Sequence, residues 1–124
     1  MNEMLNIFKA LSDNNRLRVF VALLNFEELC ACQLTELLQI KGATCSRHMT
    51  ILINSKLIES RKEGRWVYYR ISKDSSSFLL IQKWIEQKFL TSDFLQKDIE
   101  NLEQIVSIDP EVLCKKQRGD SCCD

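Results

Sequence analysis

The stretch CQLTELLQIKGATCSRHMTILINSK, from Cys32 to Lys56, decides the fold. Leu34, Leu37 and Leu38 sit at i, i+3 and i+4, one face of a helix that starts near Cys32. Lys41-Gly42 supplies a turn, and a second helical pattern runs from about Thr44 to Lys56. Within it Cys45, Met49, Leu52 and Lys56 form an inward set with Ile53 beside them, while Thr44, Arg47, His48 and Ile51 take the outward side. Two helices joined by a short glycine-containing turn read as a helix-turn-helix.

Upstream, Met4, Leu5, Ile7, Phe8 and Leu11 mark a short first helix. Ser12 or Asp13 offers a side-chain cap to a second helix carrying Leu17, Phe20, Val21 and Leu24. Downstream, 57–62 and 65–71 are rich in strand formers around Glu63-Gly64, which predicts a β-hairpin with Gly64 at positive φ. A fifth helix follows with Phe78, Leu79, Ile81, Trp84, Ile85 and Phe89 as its apolar residues. The expected fold class is mainly α with a small β-hairpin wing, a winged helix-turn-helix. Residues 1–90 form that domain, and 91–124 form a C-terminal helix and a flexible cysteine-containing tail. Leu95, Ile99, Leu102 and Val106 keep helical spacing there, Asp109-Pro110 stops or kinks the helix, and the segment from Cys114 onward is polar.

The chain has 124 residues and 45% hydrophobic content, which fits one globular domain. No run approaches the roughly 18 apolar residues that span a bilayer, and Met1-Asn2-Glu3-Met4 lacks the basic and apolar regions of a secretion signal. The expectation is a cytoplasmic protein with no membrane partner and reduced thiols. Charge is uneven although the net is zero. From Lys41 to Lys73 eight cations face two anions, net +6, while the remainder holds nine cations and fifteen anions, net −6. A basic middle in an acidic frame is the footprint of a nucleic-acid reader.

Six cysteines in a reducing compartment point to ion binding, redox chemistry or burial before structural disulfides. Cys30 and Cys32, one residue apart at the predicted start of the third helix, are a chelating pair for a soft ion. A helix turns about 100° per residue, so these positions lie about 200° apart. Both cannot belong to one apolar face, and aiming both at one ion requires a distorted first turn. The helix N-terminus favours the thiolate. Cys114, Cys122 and Cys123 could complete a three-sulfur site, form a separate one or be passive. Cys45, on the inward face of the fourth helix, reads as a packed residue.

At the start of the reading helix, Thr44, Ser46, Arg47 and His48 are the candidates to reach base edges. Arg47 suits bidentate pairing with guanine O6 and N7, and Ser46 and Thr44 suit phosphate or base. Lys62, Arg65 and Arg70 on the wing suit phosphates or the minor groove, contacts that position without reading sequence.

Ala10-Leu11-Ser12-Asp13-Asn14-Asn15-Arg16-Leu17-Arg18, Leu29-Cys30-Ala31-Cys32-Gln33-Leu34, Ser46-Arg47-His48-Met49 and Glu63-Gly64-Arg65-Trp66-Val67-Tyr68-Tyr69, in this order, resemble the ArsR/SmtB family over about residues 3 to 90. The cysteine pair resembles the arsenic-responsive branch. The resemblance implies a homodimeric repressor of double-stranded operator DNA, dimerising through the first and fifth helices. It implies As(III) or Sb(III) as inducer ligand, with no resident cofactor required. Two departures stand out. Where the best-known arsenic-binding version has a third cysteine, this chain has Thr35. The fifth helix has no histidine, His48 being the single one, which excludes the zinc site of zinc-sensing relatives. Two other functions stay open: a redox-sensing repressor of the same fold, and a thiol enzyme or metalloid carrier using Cys122-Cys123. The latter is disfavoured by the absence of a Cys-x-x-Cys on a βαβ pattern, a His/Asp constellation or a phosphate-binding glycine loop. The expectation is therefore not an enzyme.

Overall fold

The computed structural model describes residues 2–73 and 78–117, apart from the side chains of Leu90 and Lys115. Its elements run α1 (Asn2–Leu11), α2 (Asn14–Asn25), β1 (Leu29–Cys30), α3 (Ala31–Leu38), α4 (Gly42–Asn54), β2 (Ile58–Glu63), β3 (Trp66–Ile71), α5 (Leu79–Leu90), α6 (Asp93–Ile105) and α7 (Pro110–Lys116). The helices enclose one core, and the strands form an antiparallel sheet of order β1-β3-β2 at its edge.

Asp13 starts α2, its carboxylate accepting the backbone N–H groups of Asn15 at 2.9 Å and Arg16 at 3.1 Å. Burial raises the Asp13 carboxyl pKa, but those N–H groups and the His48 and Arg16 charges outweigh it and hold the group below its ordinary value. Val19 through Leu23 are all buried. That face is wider than the predicted stripe because α1, α4, α5 and α6 all pack on α2. Phe20 meets Phe78 edge to face with ring centroids 6.0 Å apart.

The helix-turn-helix is present with shifted ends. Gln39 closes α3 in the left-handed region at φ 55°, and α4 begins at Gly42 and ends at Asn54, not at Thr44 and Lys56. The end of α4 has a specific cause. The backbone N–H of Leu57 donates to Leu52 O at 3.2 Å and that of Lys56 to Ile53 O at 2.9 Å, a Schellman closure with Lys56 at φ 67°. Lys56, inward by spacing alone, is therefore exposed, and the reversal drops Leu57 and Ile58 into the core.

The hairpin pairs Glu63 with Trp66 around Gly64-Arg65. Gly64 has φ 61° and Arg65 does not share the positive φ, which matches a type II′ turn. The sheet also has a third strand that a two-strand expectation omits: Leu29 pairs with Tyr69 and Cys30 with Tyr68. Two residues are too few to display the alternation that marks a strand.

After Thr91 the chain returns to the same core. Leu102 and Ile105 of α6 and Leu113 of α7 are buried, and Asp98 of α6 takes Arg18 of α2 in a two-pronged bridge of 2.8 and 3.1 Å. Asp109 caps α7 through the N–H of Glu111, with Pro110 in its first turn. Cys114, expected to open a flexible tail, instead lies in α7, which ends at Lys116 with Gln117 as its C-cap, and Cys114, Lys116 and Gln117 all contact α3. Among the described residues no helix is long and apolar enough to cross a membrane.

Candidate nucleic-acid interface and thiol site

The exposed stripe of α4 is Ala43, Ser46, Arg47, Thr50, Ile51 and Asn54. Of the predicted base-reading residues, Ser46 and Arg47 lie on it, while Thr44 and His48 are half-buried at its edge. His48 faces inward rather than outward. Its Nδ1 lies 3.1 Å from Arg16 Nη1 and 3.9 Å from Asp13 Oδ2, so its ring ties the reading helix to the α1–α2 corner. Arg16 Nε in turn donates to Ala10 O at 2.7 Å. Thr50, one turn beyond Ser46, shares the exposed face and donates its hydroxyl to Ser46 O at 3.0 Å. Cys45, Met49 and Leu52 are buried, as the inward set requires.

The wing cations differ in how engaged they already are. Arg61 grips both oxygens of Glu28 at 2.8 and 2.7 Å, reaches Glu63 at 3.2 Å and lies over the Tyr68 ring. Arg70 binds Glu59 at 2.7 Å. Arg61, acting first through its hydrogen bond, holds the Glu28 carboxyl below its ordinary value. The Lys73 N–H and then Arg70 do the same for Glu59. Arg65 makes a looser pair with Glu111 of α7 at 3.3 Å, both side chains more than half exposed. Lys62 forms no ion pair among the described residues and is exposed.

Cys30 and Cys32 occupy two different kinds of backbone. Cys30 is extended, at φ −84° and ψ 161°, belongs to β1 and sits at the N-cap of α3, its N–H donating to Gln33 Oε1 at 2.9 Å. Cys32 lies inside the first turn. Both are buried, at 1% and 0% exposure, which corrects the one-face argument: α3 is covered by α4, α6, α7 and the sheet together, so positions 200° apart can both be packed. The expected thiolate stabilisation is corrected too. Burial pushes the Cys30 thiol above its ordinary value, and hydrogen bonds from the N–H groups of Gln33, Cys32 and Cys30 offset only part of this. Tyr68, opposite Cys30, is raised first by burial and next by the Cys30 charge.

The Cys32 sulfur meets that of Cys114 from α7 in a disulfide, with 6.1 Å between their Cα atoms. Around it Gln117 Nε2 donates to Cys32 O at 3.0 Å and to Glu36 Oε1 at 3.3 Å, and Lys116 Nζ lies 2.7 Å from Glu36. Lys116, then Gln117, keep the Glu36 carboxyl below its ordinary value against its burial. Thr35 is buried, its hydroxyl donating to Ala31 O at 2.8 Å. Cys122 and Cys123 lie outside the described residues. Among the described residues no three Cys, His, Asp or Glu side chains converge as a preformed ion site. Cys30, Cys32 and Cys114 nonetheless put soft sulfur donors near the start of α3, which suits a thiophilic ion better than a hard cation.

A model of the bacterial regulatory proteins of the arsR family matches residues 4–60. The arsenical resistance operon repressor of Staphylococcus aureus is 31% identical over 120 residues, covering 97% of this chain and 96% of the relative. A homologue of the cadmium resistance regulatory protein CadC, also from Staphylococcus aureus, is 33% identical over 86 residues, covering 69% of this chain and 71% of the relative. Among solved structures, a homodimeric winged helix-turn-helix DNA-binding domain from Mycobacterium bovis, a possible ArsR-family regulator, aligns with a TM-score of 0.59 at 23% identity, covering 74% of this chain and 86% of that one. The helix-turn-helix, the wing and these likenesses together place the chain in the ArsR family of winged-helix transcriptional repressors.

Proposed function

We propose that the chain represses transcription as a homodimer on double-stranded operator DNA, and that As(III) or Sb(III) releases it by binding thiolates at the start of α3. The observation that carries this reading is the position of Cys30 and Cys32. They flank the first residue of α3, and α3 packs directly on α4. Holding one ion through both requires a shift in the first turn, and α3 cannot move there without disturbing the helix that carries Ser46 and Arg47. Arsenical resistance repressors among the relatives support an ion of this class, and a cadmium regulator keeps cadmium among the ions to test.

On the DNA side, Arg47, Ser46 and Thr44 read or position at the major groove, and Lys62, Arg65 and Arg70 serve the backbone. His48 serves here as a brace for α4 through Arg16 and Asp13. The dimer reading rests on apolar surface. Met4, Leu5 and Phe8 of α1 and Leu80 and Trp84 of α5 are exposed, Leu80 at 82% and Trp84 at 60%. Phe8, Leu80 and Trp84 line an open apolar groove of about 610 Å³ together with Leu11, Leu17, Ile81 and Leu95, which a second copy would cover.

The deciding experiment is operator release from the reduced protein, titrated with arsenite, antimonite, cadmium, zinc and peroxide. Release by arsenite under reducing conditions is the expected result. Release by peroxide alone would favour a second reading, a redox-sensing repressor, which the Cys32–Cys114 disulfide supports. No release by any of them would place the inducer site elsewhere.

A further inference from the structure

We propose that Cys114 supplies the third sulfur of the inducer site, so that the site is built within one chain from Cys30, Cys32 and Cys114 and α7 is part of the sensor. This rests on the As(III)/Sb(III) reading and specifies its ligand set. Three observations carry it.

First, the position after Cys32 that would extend the pair along α3 is Thr35, whose hydroxyl is hard and already donates to Ala31 O. A third soft donor must come from another element. Second, α7 brings one: Cys114 reaches the Cys32 sulfur closely enough to bond, across a sequence separation of 82 residues. Third, the approach is built rather than incidental. Gln117, the C-cap of α7 three residues after Cys114, donates to the Cys32 carbonyl, while Lys116 and Gln117 both hold Glu36 of α3. Leu113 beside them is 1% exposed, so α7 is seated by burial as well as by the thiol.

The disulfide is the closed, oxidised form of this site, and a dithiol reductant opens it to two thiols. Cys30 is the extended N-cap of α3 and is buried, so drawing its sulfur onto an ion held by the other two is the shift in the first turn of α3 on which release depends. Binding exchanges ligands without moving electrons. Each of the three thiols gives up its proton to a hydroxide of As(OH)₃, one As–O bond breaks as one S–As bond forms, and three waters leave. Glu111 lies three residues before Cys114 and pairs with Arg65 of the wing at 3.3 Å, so an α7 fixed to the site also keeps a carboxylate on a wing cation.

The test uses the reduced full-length chain and sodium arsenite, with Cys30→Ser, Cys32→Ser, Cys114→Ser, Cys114→Ala and a Cys122→Ser/Cys123→Ser double variant. Circular dichroism confirms that each is folded. X-ray absorption counts the sulfur neighbours of arsenic, and a titration gives the dissociation constant. The expected result is three sulfurs in the wild type and in the Cys122/Cys123 variant, but two in both Cys114 variants with at least tenfold weaker binding. Three sulfurs and unchanged affinity in the folded Cys114 variants, or two in the Cys122/Cys123 variant, would overturn the proposal while leaving the parent reading intact if Cys32→Ser still abolishes binding. Wild-type affinity in Cys30→Ser and Cys32→Ser alike would overturn both.

Discussion

Replacing wing cations one at a time separates charges that are available to DNA from charges that the fold has already neutralised. Lys62 is exposed with no carboxylate partner among the described residues, whereas Arg61 is held by Glu28 at 2.7 Å and by Glu63 at 3.2 Å. If Lys62 binds one phosphate per protomer, Lys62→Ala removes two per dimer. The slope of log affinity against log salt falls by about 0.9 per phosphate, hence by about 1.8 units. Between about 50 and 200 mM salt the affinity loss of the variant is then roughly 12-fold smaller than that of wild type. Arg61→Ala removes no phosphate contact, and at physiological ionic strength the Debye length of about 8 Å screens its remaining influence, so its slope should change by well under one unit. Glu111→Gln should act in the opposite direction. Freeing Arg65 from an exposed ion pair worth at most about 1 kcal/mol should tighten binding by up to about fivefold per protomer. Fluorescence anisotropy on a labelled duplex across a salt series measures all three. An Arg61→Ala slope change as large as that of Lys62→Ala would refute the division into engaged and available cations.

Other outcomes follow from the same geometry. Asp98→Ala leaves the Arg18 guanidinium, whose side chain is 15% exposed, without its main acceptor, and should cost about 3–5 kcal/mol in urea unfolding; Arg18→Met with Asp98→Leu should recover most of it. Lys56→Gly relieves the φ 67° strain at the end of α4 and should stabilise by about 0.5–1 kcal/mol in the same assay; destabilisation would mean that the Schellman closure is not strained. Trp84→Glu with Leu80→Glu should yield a monomer by sedimentation at concentrations where the wild type is dimeric, with operator binding lost; an unaltered dimer would exclude this face as the interface. Asp13, Glu28, Glu36 and Glu59 all have carboxyls held below their ordinary values of 3.8 for Asp and 4.5 for Glu. Their stabilisation is therefore complete above those values and lost as pH falls through the lower folded ones. Acid unfolding monitored by far-ultraviolet dichroism should begin near these values and start earlier in Glu36→Gln, where the loss is already made.

Periodicity determined the helix-turn-helix and the wing, because Leu34, Leu37, Leu38, Cys45, Met49 and Leu52 repeat at helical spacing and Gly64 marks a turn that needs positive φ. Local composition likewise located the basic segment and the cysteine pair, since both are properties of neighbouring residues. What the sequence could not reveal depended on distant segments meeting. The strand at Leu29-Cys30 exists only because β3 pairs with it. The burial of both Cys30 and Cys32 needs α4, α6, α7 and the sheet to close around α3, and that burial reverses the expected direction of the Cys30 thiol. The grip of Arg61 on Glu28, 33 residues away in the chain, likewise exists only in the fold. The meeting of Cys32 with Cys114 spans 82 residues, and no spacing rule reaches that far: the return of the chain through α6, anchored by Asp98 on Arg18, is what delivers the second sulfur.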